Sequence, residues 1–374
     1  MTTVTPRSEA EVACRGLWKV YGDGGRELLA SGAVTRSRAE LLAESGCVVA
    51  VRDVSFEVAR GEVFVVMGLS GSGKSSLIRC LTRLVDVTAG EIRIGGLDVL
   101  SADAEQLRQL RRRKVSMVFQ HFALFPHRRV IDNVAFGLEV QGIGKAQRHE
   151  RAREVLGVVG LADVERSYPS QLSGGMQQRV GLARALAVDP DVLIFDEAFS
   201  ALDPLIRREM QDEVIRLQEK MHKTVVFVSH DLDEALKIGD RIAIMKDGAF
   251  VQVGRPQEIV GAPVDDYVRD FVRGVARGKV LTAEWMLAGA DAAAPTGTLP
   301  AATVPAATVQ AGTPLQALLP VLVSTPGPVG VVDPAGGLLG LLDREAVLDV
   351  LAGDDTVTAR RPPDPAALTP SGIG

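Results

Sequence analysis

Val63-Phe64-Val65-Val66-Met67-Gly68-Leu69-Ser70-Gly71-Ser72-Gly73-Lys74-Ser75 decides the fold. Its first five residues are apolar without alternation, which predicts a strand buried on both faces. The next eight fit the phosphate-loop pattern Gly-x-x-x-x-Gly-Lys-Ser. A helix is predicted from Ser76 to Leu84, so the loop lies between strand and helix, as the pattern requires. Glycines at these positions let backbone N–H groups converge on an anion, and the helix N-terminus adds its dipole. Lys74 would reach the β- and γ-phosphates of a nucleotide, and the Ser75 hydroxyl would ligate Mg²⁺.

Two more apolar runs, Val192–Phe195 and Thr224–Val228, read as buried strands. With amphipathic helices between them they predict an α/β fold with a mostly parallel sheet covered on both faces. Chemistry-bearing residues follow these strands. Asp196 and Glu197 end the first; one carboxylate suits Mg²⁺, the other suits polarising an attacking water. His230 follows the second and could donate to a γ-phosphate. Gln120, after Val118-Phe119, could reach Mg²⁺ or the water.

Leu172-Ser173-Gly174-Gly175-Met176-Gln177-Gln178-Arg179 is a second glycine-rich element, between the phosphate loop and the acidic strand end. It reads as a donor surface for the γ-phosphate of a nucleotide held by another copy of the chain.

The chain has 374 residues, enough for two or three domains. Its net charge of −5 gives no nucleic-acid footprint. No apolar run approaches the ~20 residues that span a bilayer, and the polar N-terminus does not read as a signal peptide. A cytoplasmic protein is expected, with any membrane role exercised through a partner. Cys14, Cys47 and Cys80 lack metal or redox spacing and read as isolated thiols. Residues 22–48 read as a polar, helix-prone insert. Residues 102–114 and 145–160 read as surface helices. The composition changes near 276, and 276–313 reads as an Ala/Pro-rich linker. A compact module follows at 314–352, or from near 300: helix 314–323, strands 327–332 and 338–342, helix 344–351. The tail 353–374 is expected to be disordered.

The phosphate loop, Gln120, Leu172-Ser173-Gly174-Gly175, Asp196-Glu197, Ser200-Ala201-Leu202-Asp203 and His230 occur in the order found in ABC-transporter ATPases. The resemblance covers about residues 10–275. It implies a P-loop NTPase domain over 1–275, with a RecA-like core, an antiparallel β subdomain and a helical subdomain at about 121–180. It also implies ATP and Mg²⁺, sandwiched in a head-to-tail dimer. Gly68, Ser70, Gly71, Ser72, Gly73, Lys74, Ser75 and Ser76 would cradle the phosphates. Ser75, Gln120 and Asp196 would serve the metal. Glu197 would be the general base, assisted by His230, Gln120 and Lys74. Ser173, Gly174 and Gly175 would donate across the dimer, and Asp203 would couple the two sites. Tyr21 matches the aromatic that stacks on adenine, with Trp18 as the alternative.

Segments flanking these motifs, among them Met67-Gly68-Leu69-Ser70, Phe122-Ala123-Leu124-Phe125-Pro126-His127 and Asp196-Glu197-Ala198-Phe199-Ser200, resemble the ATP-binding subunits of glycine betaine/proline importers. That likeness implies an ATPase on the cytoplasmic face of the membrane, peripheral to a separate permease. It would energise uptake of a compatible solute delivered by a periplasmic or lipid-anchored binding protein. The alternatives are an importer ATPase for another small solute, such as an amino acid, and a soluble ABC ATPase outside transport. The C-terminal module, with Pro328-Val329-Gly330-Val331-Val332-Asp333, resembles a single CBS repeat, where such importers usually carry two. A sensing role and a purely dimerising one both stay open. Residues 276–374 carry nine acidic and five basic residues, so no basic patch supports attraction to anionic lipid.

Overall fold

The computed structural model describes residues 10–32, 36, 38–119, 123–200, 202–291 and 305–352. Two compact units divide between Val251 and Gln252. The strands run in chain order as β1 (Ala10–Tyr21), β2 (Val48–Ala59), β3 (Val63–Met67), β4 (Ala89–Ile94), β5 (Leu97–Asp98), β6 (Val115–Phe119), β7 (Val192–Asp196), β8 (Thr224–Ser229), β9 (Arg241–Lys246), β10 (Ala249–Gly254), β11 (Ala307–Gln310), β12 (Val329–Val332) and β13 (Leu338–Leu342).

The centre of the first unit is a six-stranded sheet ordered β10-β9-β3-β8-β7-β6. Strands β9, β3, β8, β7 and β6 pair in parallel. Every residue of β3 and β8 is buried, the apolar runs Val63–Met67 and Val225–Val228 with the polar ends Thr224 and Ser229. Phe195 and Phe227 stack at 5.2 Å between ring centres, with Phe199 against both. Register aligns Met67 with Ser229 and Asp196 with Val228. The carboxyl ends of β3, β8 and β7 therefore come level, and their following loops start along one sheet edge, where open α/β sheets place ligands.

A second, antiparallel sheet is ordered β2-β1-β4-β5. The rings of Phe56 on β2 and Phe64 on β3 stack at 4.9 Å. The insert at 22–48 holds helices Gly25–Ala30 and Arg38–Ser45. Leu41 anchors it in a buried cluster with Val20, Cys47 and Val49, against which Trp18 and Leu28 pack. Helices Val130–Val134, Phe136–Val140, Lys145–Val158 and Gly174–Ala187 fill the expected helical region and run past its expected end. Asn133 is fully buried there. Its amide donates to the carbonyls of Phe125, Arg128 and Arg129 and accepts from the Phe125 N–H at 2.7 Å. One side chain thus fixes the turn at 125–129.

The second unit begins earlier than the composition suggests. Helices Pro256–Gly261 and Arg277–Val280 belong to it because Gly261 packs on the Trp285 ring and Gly278 on Leu351. Part of the expected linker is folded: helix Ala283–Asp291 and β11 lie within 276–313. Strand β11 pairs in parallel with β12, which pairs antiparallel with β13. Helices Leu315–Ser324 and Arg344–Ala352 fall where the sequence places them. The rest of the expected linker, 292–304, and the tail 353–374 lie outside the described residues. Among the described residues, no helix is long and apolar enough to cross a membrane.

Candidate functional site

The loop after β3 turns through three glycines with positive φ: Gly68 at 156°, Gly71 at 78° and Gly73 at 112°. At Gly68 a Cβ would stand 2.2 Å from the Met245 carbonyl oxygen, and at Gly73 a Cβ would stand 2.1 Å from that of Ala50. Only glycine fits, both sterically and by φ. Leu69, Ser70 and Gly71 form the exposed rim, and Ser72 is buried behind it. The Ser72 hydroxyl is buried without a partner, and such an atom marks a place for a polar ligand. Helix Lys74–Leu81 starts directly from the loop with Gly73 as its N-cap, so its first N–H groups face the cradle.

Lys74 is 4% exposed, a position that an ammonium tolerates only with partners. Its Nζ donates to the carbonyls of Gly68 at 2.8 Å and Leu69 at 3.1 Å, and lies 3.7 Å from Glu197 Oε1. Burial lowers the Lys74 pKa from its ordinary value, while the carboxylates of Glu197 and Asp196 pull it back up. Ser75 Oγ donates to Asp196 Oδ1 at 3.3 Å. Burial raises the Asp196 pKa, and the Ser75 hydrogen bond opposes it.

Glu197 adopts φ 48°, an uncommon conformation for a residue with a side chain. Its N–H donates to the Val228 carbonyl at 3.1 Å, which holds the turn. Its carboxylate lies between Lys74 and His230, whose Nδ1 stands 3.3 Å from Oε2. A phosphate cradle, a lysine, a hydroxyl–carboxylate pair and a carboxylate–imidazole pair therefore share one sheet edge. Tyr21 ends β1, 38% exposed, with its hydroxyl 3.3 Å from Ser76 Oγ and Lys19 over its ring. Trp18 is packed instead against the insert cluster.

Ser173 caps helix Gly174–Ala187, its Oγ accepting from the Met176 N–H at 3.3 Å. Ser173 and Gly174 are exposed. At buried Gly175 a Cβ would stand 2.4 Å from Ile206. Asp203 caps helix Pro204–Met221 through the N–H groups of Leu205 and Ile206. Gln120 and Ala201 lie outside the described residues. Arg207, Asp231 and Glu234, to which the sequence assigns no role, brace the turns bearing Asp203 and His230. The tertiary part of their signal is the Arg207–Asp231 and Gln211–Glu234 contacts; their other partners, Phe199 and Ser229, lie within eight residues.

The chain matches the ABC transporter family over residues 51–200. It is 53% identical over 273 residues to the glycine betaine transport ATP-binding protein OpuAA of Bacillus subtilis, covering 73% of this chain and 65% of that one. It is 52% identical over 270 residues to the glycine betaine/proline betaine transport ATP-binding protein ProV of Escherichia coli, covering 72% and 68%. The trimethylamine N-oxide transport ATP-binding protein TmoW of Ruegeria pomeroyi aligns over 340 residues at 46% identity, covering 91% and 96%. A solved dimeric bacterial ABC transporter cassette superposes with a TM-score of 0.55 at 30% identity, covering 66% of this chain and 98% of the cassette. The chain belongs to the ATP-binding proteins of the ABC transporter family.

Proposed function

We propose that this protein is the ATP-hydrolysing subunit of an importer for a small quaternary amine or related compatible solute, such as glycine betaine or trimethylamine N-oxide. Its permease would be a separate membrane protein, with the ATPase bound peripherally on the cytoplasmic face and a solute-binding protein outside. The observation that carries the reading is the set formed by Lys74, Glu197 and His230 beside the phosphate loop. The names of the relatives support the substrate class.

The backbone of Gly68–Ser75 would hold the phosphates, with Lys74 on the β- and γ-groups. Ser75 and Asp196 are hard oxygen donors of the kind Mg²⁺ takes alongside phosphate and water oxygens. Mg²⁺, when bound, neutralises charge developing on the phosphate oxygens. Glu197 would take a proton from the attacking water, and its contact with His230 orients the carboxylate. His230 would donate to the γ-phosphate. Tyr21 would stack on adenine. Ser173, Gly174 and Gly175 would close over the nucleotide of a second copy, and Asp203 would meet that copy at the interface. Gln120 would sense the metal or the water. The turn at 125–129, braced by Asn133, would contact the permease. In the second unit, the order β11, helix, β12, β13, helix supports a CBS-like module.

Reconstitution in liposomes with the cognate permease and binding protein tests the reading. Hydrolysis stimulated by glycine betaine or trimethylamine N-oxide is expected. Hydrolysis indifferent to both, and to other quaternary amines, removes the substrate class.

A further inference from the structure

We propose that Arg207 is a positioning residue that locks the turn ending in Asp203 to the turn bearing His230. It would thereby couple the two faces with which one chain meets two nucleotides; this rests on the head-to-tail dimer of the preceding reading.

Arg207 lies one turn into helix Pro204–Met221. Its Nε donates to the Phe199 carbonyl at 3.2 Å. One terminal nitrogen donates to the carbonyls of Ser200 at 3.4 Å and Leu202 at 3.1 Å. The other reaches Asp231 Oδ2 at 3.3 Å. Three acceptors thus belong to the turn before Asp203, and the fourth is the carboxylate next to His230. A planar guanidinium with five N–H donors can serve such divergent acceptors together; an ammonium cannot.

Asp231 divides its oxygens. Oδ2 faces Arg207, while Oδ1 accepts from the Glu234 N–H at 3.2 Å and caps the next helix. Its own N–H donates to Ser229 Oγ at 3.0 Å. The His230 turn is therefore held by its helix, by β8 and by Arg207. Glu197, Ser200, Arg207, His230 and Asp231 line one small cavity. On the far side, Ile206 packs on Gly175, and Arg179 pairs with Glu209 at 3.2 Å. A continuous set of contacts thus leads from the Ser173 segment through helix 204–221 and Arg207 to His230.

Contacts alone do not establish coupling, so the test reads energetic linkage. Arg207→Lys should lower kcat by about 100-fold, the scale of a small misplacement of reacting groups. Cooperativity in ATP should fall away, with ADP affinity of the monomer unchanged. Asp231→Asn keeps the helix cap and should lower kcat in the same direction even if Arg207→Lys folds poorly. The double variant should be no worse than Arg207→Lys alone, because both remove one link. Wild-type kcat and cooperativity in either single variant, or additive losses in the double, overturn the proposal. A Glu197→Gln chain that stays monomeric in ATP instead overturns the dimer reading beneath it, a separate result.

Discussion

Glu197 Oε2 lies 3.3 Å from His230 Nδ1, while Glu197 Oε1 lies 3.7 Å from Lys74 Nζ. One carboxylate therefore bridges the phosphate-loop lysine and the strand-end histidine. Its backbone, with φ 48°, is pinned to β8 through the Val228 carbonyl. Strain of this kind persists where surrounding structure enforces it, and it aims the side chain into the site.

Lys74→Ala removes the buried cation of the phosphate loop, proposed to meet the β- and γ-phosphates. Charge-assisted hydrogen bonds of this type are worth about 1.5–3 kcal/mol. ATP affinity should fall by roughly ten- to 100-fold in calorimetric titration, with circular dichroism unchanged.

Gly73→Ala places a methyl group against the Ala50 carbonyl at φ 112°. The left-handed backbone alone costs about 1–2 kcal/mol, and the 2.1 Å approach adds to it. The variant should melt lower than wild type, and its melting temperature should respond less to added ATP.

Glu234 is 4% exposed, with Ser229 and Gln211 on its carboxyl oxygens. Burial raises its pKa above the ordinary carboxylate value, against those hydrogen bonds. The folded state then holds this proton more tightly than the unfolded chain. Its contribution is full below the unfolded pKa and is lost as pH rises through the folded one. Glu234→Gln should therefore show a shallower fall of melting temperature from mildly acidic to alkaline pH. Equal slopes for both proteins would exclude this titration. Asp196, also raised by burial, leaves a residual slope.

Ser173→Ala loses the cap on Met176, worth about 1 kcal/mol. If the hydroxyl also serves the second copy's nucleotide, turnover should fall further than this stability loss explains. ADP binding to the isolated chain should be unaffected, and comparing kcat with monomer affinity reads the difference.

The buried strands and the residues after them were legible because local pattern specifies both. Val63–Met67 and Val225–Val228 are unbroken apolar runs, and a doubly covered sheet accommodates them. Arg207 and Glu234 were not legible, since Asp231 and Gln211 are brought to them by tertiary folding, and Asn133 was not, since its turn of carbonyls carries no fixed residue pattern. The helix Ala283–Asp291 reads as linker in the sequence because its alanines resemble low complexity. Its fold comes from packing, with the Trp285 ring on Gly261 and Leu287 on Gly340. Strand β11 is four residues long and exists by parallel pairing with β12, which local sequence does not encode.

The central claim joins a base at Glu197 to a site completed by a second copy. Light scattering of Glu197→Gln with ATP, alongside its hydrolysis rate, tests it most directly. A doubled mass in ATP, a monomer in ADP, and turnover lower by about 10²–10⁴-fold are expected. A monomer at saturating ATP, or hydrolysis near the wild-type rate, would contradict it.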